Sequence, residues 1–467
     1  MSNSFLAGAA ARSIMPLPAM VDNTLHLMIT VRLDEPGSPP KAKALAMTLG
    51  RRSLMLIGLD LGGAGTAHAG ALREAVSRAT GLDVEDVVVS CTHTHSAAVL
   101  EPLDGEHPYF DLVVKATVDA AAEAWALRRP AGAGHGLTCV AGASFNTRVP
   151  LPNGGVKFTR DYREGLASGR PVDPRLSVLR IDDENGSPIA GWVRFATHPA
   201  CVIFNAPVSA EYPGYMTDQV SETVAGGAPV LFGFGAAGDV NCVPMFGTEQ
   251  DARNLGLNLA ALAGPVFENI QTRAPKQLLS SSCTLQLPLN PIPSAETLDR
   301  EIAEVAAFVE GLDENPDLVW VLGVNCCHTW SVAQKKAAAM PLGKWAERTK
   351  AAIAAGKTFP TTWPAEITAW IIDDLGMVFY PGEPFTEIGL TIASRSPLAD
   401  TLVMSHCNGM AGYLATDEER RRGGYEPCTW HRSQRDSTQR PMSYALGAAD
   451  VVIDGCIELI NGLIKGK

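Results

Sequence analysis

The chain has no apolar run of the roughly 18 residues that a bilayer-spanning helix needs, and no cationic stretch leading into an apolar one at its start. The first absence argues against a membrane anchor and the second against a secretory leader. Long blocks of Lys and Arg are missing as well, and the formal net charge is −12. Nucleic acid and anionic membranes are therefore poor candidates for the main partner. None of the ten cysteines forms a Cys-x-x-Cys pair, so they read as reduced, mostly buried thiols of a cytoplasmic protein. Internal repeats, low-complexity tracts and disordered linkers are absent, and the 467 residues read as one domain spanning 1–467. Gly233, Gly235 and Gly238 have dinucleotide-type spacing, but no clear helix opens after them, which argues against that cofactor.

What is present is strand and helix in alternation. Alternating or apolar runs predict strands over 24–33, 44–49, 53–61, 86–91, 176–181, 189–197, 230–234, 366–372, 377–380 and 401–405. Helical spacing covers 66–80 (stopping at Gly81), about 108–128, 212–224, a start near 385, and 445–464. Asn185-Gly186 marks a hairpin turn. Alanine-rich helical text fills a segment near 295–357, with Pro341 interrupting it, and reads as a helical insertion. The expected fold class is α/β: mixed β-sheets flanked by helices, with the active site at strand ends.

The polar residues of interest share one placement, just past an apolar strand. His93 and His95 follow Val87-Val88-Val89-Ser90-Cys91; His198, Asp239 and Glu383 each follow a strand of their own. Two or three imidazoles and a carboxylate, with a coordination position left open, form the ligand set of a catalytic zinc site. Zn²⁺ would bring the pKa of bound water towards ~7 and polarise a carbonyl. Each residue also has a structural alternative, a loop cap for Asp239 and a turn residue for Glu383.

The order of motifs resembles the neutral/alkaline (non-lysosomal) ceramidase family over nearly the whole chain. The resembling segments include Leu56–Leu61 with Asp60, Thr92-His93-Thr94-His95-Ser96, Asn146-Thr147-Arg148, Thr197-His198-Pro199, Gly238-Asp239-Val240, Tyr380-Pro381-Gly382-Glu383, Asn408–Tyr413 and Gly424-Tyr425-Glu426. The resemblance implies a zinc-dependent amidohydrolase with metal ligands at His93, His198, Glu383 and Tyr413. It implies that His95 carries the proton from water to the leaving amine. It also implies that Arg148 and Tyr425 donate hydrogen bonds to the developing oxyanion.

The chain departs from the family pattern at three points. The family serine falls on Asn241, whose amide cannot act as a nucleophile, leaving direct attack by metal-activated water. Ala97-Ala98-Val99-Leu100 replaces a glycine-rich continuation, and the chain ends without the family's C-terminal β-sandwich. The expectation is cleavage of a C–N amide bond in a small or N-acylated soluble substrate rather than ceramide. The alternatives are a metal-dependent hydrolase or lyase for an ester, lactone or carbohydrate-derived substrate, or a non-catalytic metal-stabilised binding protein. Assembly into a homo-oligomer is compatible with the chain and specified by no motif. Cys428, His431 and Arg432 are further pocket candidates. Cys326-Cys327-His328 is a weak candidate for a second metal site, and Asp417–Arg422 reads as a solvated helix.

Overall fold

A computed structural model describes residues 4–21, 31–32, 37–100, 108–203, 206–325, 330–433 and 440–466. Two sheets stack face to face, and helices cover their outer faces. The larger sheet has eight strands, in the spatial order Val230–Phe234, Pro188–Phe195, Arg175–Asp183, Arg129–Cys139, Phe5–Ser13, Lys41–Leu49, Arg52–Leu59, Val87–Cys91. The smaller has four, Leu278–Pro288, Thr362–Ile372, Leu375–Phe379 and Asp400–Met404.

Between the sheets, Leu56, Val88, Leu179 and Trp192 of the larger pack with Trp370, Ile372, Met377 and Leu402 of the smaller. Thr66–Thr80 and Pro108–Ala126 cover one half of the large sheet's outer face. Glu211–Thr223 and Glu249–Asn269 cover the other half, and Thr386–Arg395 and Ala448–Lys465 cover the small sheet. Strands buried on both faces need continuous apolar runs rather than alternation. Val87, Val88 and Val89 accordingly expose at most 1% of their surface, each contributing about 1.5–3 kcal/mol by burial.

One unit occurs three times: an antiparallel hairpin, a helix, and a strand returning parallel to the hairpin's second strand. Lys41–Leu49, Arg52–Leu59, Thr66–Thr80 and Val87–Cys91 form the first. Arg175–Asp183, Pro188–Phe195, Glu211–Thr223 and Val230–Phe234 form the second. Thr362–Ile372, Leu375–Phe379, Thr386–Arg395 and Asp400–Met404 form the third. The repetition lies in the topology, with no sequence repeat to announce it.

The units meet end to end. Single bridges pair Ser90 with Cys407 and Gly235 with Met404, so the carboxyl ends of the parallel strands converge on one place.

The longest elements the sequence missed are four. Phe5–Ser13 and Arg129–Cys139 are rich in Ala and Gly and lack an apolar period, yet both lie inside the large sheet. Glu249–Asn269 and Leu278–Pro288 were also missed. Most of the strand expected over 24–33 lies outside the described residues, as does Cys326-Cys327-His328. The insertion is two helices, Ala295–Glu314 and Val332–Ala354, packed through Val305, Phe308, Ala339 and Leu342. Contrary to expectation, the second helix runs through Pro341.

Candidate metal centre and substrate cavity

Each unit delivers one candidate ligand just past a strand. His93 lies two residues beyond Val87–Cys91 and His198 three beyond Pro188–Phe195; Glu383 lies four beyond Leu375–Phe379. A ring nitrogen of His93, a ring nitrogen of His198 and a Glu383 oxygen all lie within 4.8 Å of one another, and all three residues are buried. His198 Nε2 is 2.9 Å from Glu383 Oε2, and His93 Nε2 is 3.6 Å from the same oxygen.

The other ring nitrogens are held by backbone. His93 Nδ1 donates to Gly62 O at 2.6 Å, and His198 Nδ1 donates to Val240 O at 3.0 Å. Those bonds hold both rings with Nε2 turned towards the carboxylate, as carbonyl partners do for metal-binding histidines. Two imidazoles and a carboxylate so oriented fit a divalent cation.

Register brings Tyr413 beside this trio. The short parallel pair Glu383–Pro384 and Tyr413–Leu414 puts Glu383 directly opposite Tyr413. Gly412 permits this turn in two ways. Its φ is +74°, and a Cβ there would run into the ring of Trp430.

Electrostatics matches the geometry. Burial works against the Glu383 charge, but the imidazoles of His93, His198 and His406 hold its carboxyl well below the usual range. Burial and the neighbouring His406 bring His93 down to about 4. Burial, with His93 and His198 next to it, keeps His95 neutral well below the ordinary histidine value. His198 moves the other way: burial opposes its charge, but the Glu383 hydrogen bond outweighs it. Burial and the Glu383 charge raise the Tyr413 phenol.

His406 escaped the sequence reading. It follows Asp400–Met404 by two residues, as His93 follows Val87–Cys91, and both have left-handed backbones (φ +51° and +63°). The two rings stack at 3.9 Å, and His406 Nε2 lies 3.3 Å from Glu383 Oε1. The signal was present: a histidine just after an apolar strand.

A cavity of about 390 Å³ opens over this cluster. His93, His95, His198, Asn241, Glu383, Tyr413 and Tyr425 all line it. His95 Nδ1 is 3.1 Å from His93 O. Asn241 sits in Val240–Cys242, bridged to His198, and its Oδ1 is buried with no hydrogen-bond partner among the described residues. Most of the remaining wall is apolar, and Val321, Val324, Trp330, Pro341 and Leu342 come from the helical insertion.

Arg148 stands behind this wall and is not among the described lining residues. It is 1% exposed and donates to Glu419 Oε2 (2.6 Å), Glu426 Oε2 (2.6 Å), Gly423 O (2.7 Å) and Glu419 O (3.2 Å). Gly424 passes so close that a Cβ would meet the guanidinium at 3.0 Å. In this geometry Arg148 holds the turn that presents Tyr425.

Three further expectations are corrected. Asp417–Arg422 is a helix, but Glu419 in it is fully buried on Arg148. Cys428, His431 and Arg432 are not among the described lining residues. His431 packs edge-on against Trp345, and Arg432 pairs with Glu301 at 2.8 Å. Asp239 does not join the cation site either. It accepts from Thr386 N (2.8 Å) and Asn146 Nδ2 (2.7 Å), bracing the loops.

No helix among the described residues is long and apolar enough to cross a membrane. No family model matches the sequence, and no curated protein matches it. Among solved structures, the chain is similar to neutral ceramidase from Pseudomonas aeruginosa, with a TM-score of 0.68 at 16% identity, covering 100% of this chain and 75% of that one. It is also similar to a ceramidase complexed with C2, with a TM-score of 0.69 at 18% identity, covering 100% and 76%. The fold is ceramidase-like.

Proposed function

We propose that residues 1–467 act as one catalytic unit, a zinc-dependent amidohydrolase that cleaves the C–N bond of an N-acylated substrate. The observation that carries this reading is the trio His93, His198 and Glu383, its histidines oriented by backbone carbonyls, on the wall of a largely apolar cavity. His93, His198, Glu383 and Tyr413 hold the cation. When bound, it supplies Lewis acidity to the amide carbonyl and to water.

The chain's own groups do the rest. His95, kept neutral by burial, takes the proton of the attacking water and returns it to the departing nitrogen as the C–N bond breaks and a C–O bond forms. Tyr425 donates to the carbonyl oxygen as its charge develops. Asn241 Oδ1 accepts the substrate's amide N–H, a partner it lacks among the described residues. Without a nucleophilic side chain at that position, hydrolysis proceeds by direct attack of water. The acyl chain lies along the apolar wall built by the insertion, and the cavity volume suits a small-molecule ligand.

The test is amine release from a panel of N-acyl compounds before and after chelation. Release that disappears with chelator and returns with added Zn²⁺ supports the reading. Turnover confined to esters or sugar acids, or turnover indifferent to chelation, rejects it.

A further inference from the structure

The cavity wall carries a second carboxyl group, and one of its oxygens is left over. Glu426 is 3% exposed and lines the cavity together with Glu383 and Tyr413. Its Oε2 accepts from Arg148 Nη1 at 2.6 Å. Its Oε1 is buried with no hydrogen-bond partner among the described residues. Buried polar atoms ordinarily have a partner, and an empty carboxylate oxygen costs more than an empty neutral acceptor.

The backbone and Arg148 hold this oxygen where it is. Glu426 belongs to a π-helical turn, Tyr425–Thr429, a rare form that recurs at functional sites. The carboxyl cannot swing to satisfy Oε1 without breaking the charge-assisted bond that Arg148 makes to Oε2. Burial and the charges of Glu383 and Glu426 together raise the Tyr413 phenol, so both carboxyls lie close to that ring. A few methylenes of substrate span the gap between them.

The surroundings are short of positive charge. Arg148 bonds Glu419 and Glu426, and Arg170 pairs with Glu419 at 2.7 Å and Glu387 at 3.6 Å. Arg422 divides itself between Glu418 at 2.7 Å and Glu419 at 3.0 Å. The buried Asp239 feels Arg148 as well. Three guanidinium groups thus serve five carboxyls: Glu387, Glu418, Glu419, Glu426 and Asp239. Burial pushes Glu426, Asp239 and Glu387 up, and the arginines do not pull them back to the ordinary carboxylate range. Arg160 is the single Lys or Arg among the described lining residues, and its guanidinium carbon lies 3.8 Å from the Phe246 ring centroid and 4.3 Å from that of Trp330. A ligand cation at Glu426 Oε1 therefore meets an empty acceptor and unmatched negative charge in one place.

We propose that Glu426 Oε1 is an ammonium subsite and that the substrates are N-acylated diamines, with the second, protonated nitrogen resting on Glu426. The acyl chain takes the apolar wall and the amide takes the His93–His198–Glu383 centre, which leaves the polar Glu426 for the departing half. Hydrolysis consumes one water: its oxygen joins the acyl carbon, the C–N bond breaks, and a proton of the water goes to the departing nitrogen. The products are the carboxylic acid and the free diamine. The proposal rests on the amidohydrolase reading and narrows it, because a plain alkylamide leaves this oxygen empty.

The experiment uses N-octanoyl-1,4-diaminobutane and two analogues of the same length, N-octanoyl-4-aminobutanol and N-octanoylpentylamine, which end in hydroxyl and methyl. Shorter and longer linkers extend each series. With zinc-loaded wild type, the best ammonium compound exceeds its methyl analogue on the order of 30-fold in kcat/KM, mostly through KM, and the hydroxyl compound falls between. Glu426→Gln removes the advantage of ammonium over hydroxyl. Glu426→Asp, which keeps the charge but draws it back, moves the best linker to a longer one. An ammonium compound no better than methyl at every length overturns the proposal on wild type alone. So does a hydroxyl compound that beats its ammonium partner, or an ammonium advantage that survives Glu426→Gln. Calorimetric binding separates this from the broader reading. If no compound releases amine, the amidohydrolase reading fails, whereas ammonium binding that weakens in Glu426→Gln still upholds the subsite. Equal binding of the ammonium and methyl compounds sinks it.

Discussion

Replacing Arg148 with Met separates two roles for one arginine, donor to the reacting oxygen or buried brace. The structure favours the brace, since all four hydrogen bonds of the guanidinium end on Glu419, Glu426 and Gly423. Breaking a buried ion pair from one side typically costs about 3–5 kcal/mol, because a charge is stranded. Two features reduce the figure here. Glu419 keeps Arg170 at 2.7 Å and Arg422 at 3.0 Å. Glu426 is already pushed up by burial, against the pull of Arg148, and takes a proton instead of remaining a bare anion. The expected destabilisation is therefore about 2–3 kcal/mol near neutral pH.

The variant also acquires a pH signature. With Arg148 gone, the Glu426 carboxyl rises further above its unfolded value, so the native state holds a proton that the unfolded state has released. That contribution is intact below the ordinary carboxylate pKa and is lost as pH rises through the raised one. The stability gap should widen between about pH 5.5 and about pH 8. Adding Glu426→Gln removes the stranded acid and should recover about 1–2 kcal/mol. Urea unfolding followed by circular dichroism reads all of these, and amine release reads activity alongside. A variant within about 0.5 kcal/mol of wild type at both pH values, yet slowed about 100-fold in kcat, would refute the brace and put the guanidinium on the substrate.

Four other outcomes follow from the same geometry. Elemental analysis of protein purified without added metal should find about one zinc per chain, and His198→Ala should lose most of it; unchanged content in that variant would remove the site. His406→Ala should weaken metal affinity about 10–100-fold in competition with a chromophoric chelator, because the ring supports both His93 and Glu383, and an unchanged affinity would make it a bystander. Burial and the charge of Glu249 push Glu211 up to about 8, so stability should fall as pH rises from the ordinary carboxylate range through 8. Glu211→Gln should flatten that slope, worth on the order of 5 kcal/mol over the full range, and an unaltered slope in urea titrations would contradict it. Neither rapid-quench bursts nor hydroxylamine should reveal an acyl-enzyme, since Asn241 offers no nucleophile; a trapped acyl group would require another residue to supply one.

The reach of the sequence followed how each residue is held. His93, His198 and Glu383 were legible because an apolar run ending in a polar residue is a local pattern, and strand ends are where α/β folds gather chemistry. Tyr413 was implied by the resemblance, and its partner is explained only by the register with Glu383. His406 obeys the local rule as well as His93 does; its role became visible only when the third unit lay against the first. Arg148 shows the opposite limit. A motif located it, but motifs do not say which side of a wall a side chain takes, and that was decided by Glu419 and Glu426, 271 and 278 residues away.

The residues proposed as ligands and those proposed to contact substrate thus come from different parts of the molecule, and the division has a physical cause. A cation tolerates ligand displacements of only about 0.2 Å, so its holders sit within four residues of strands whose register is locked by ladders and a shared core. Glu211 adds a tie between two of those loops, accepting from Ser96 at 3.1 Å and from the Cys201 amide at 2.8 Å. An apolar chain needs no such rigidity, and the walls that would hold one come from connecting segments: the insertion at Val321, Trp330 and Leu342, and the segment at Phe246. Such segments change without disturbing the ladders. The residues that would choose the substrate therefore lie on elements the cation would not constrain.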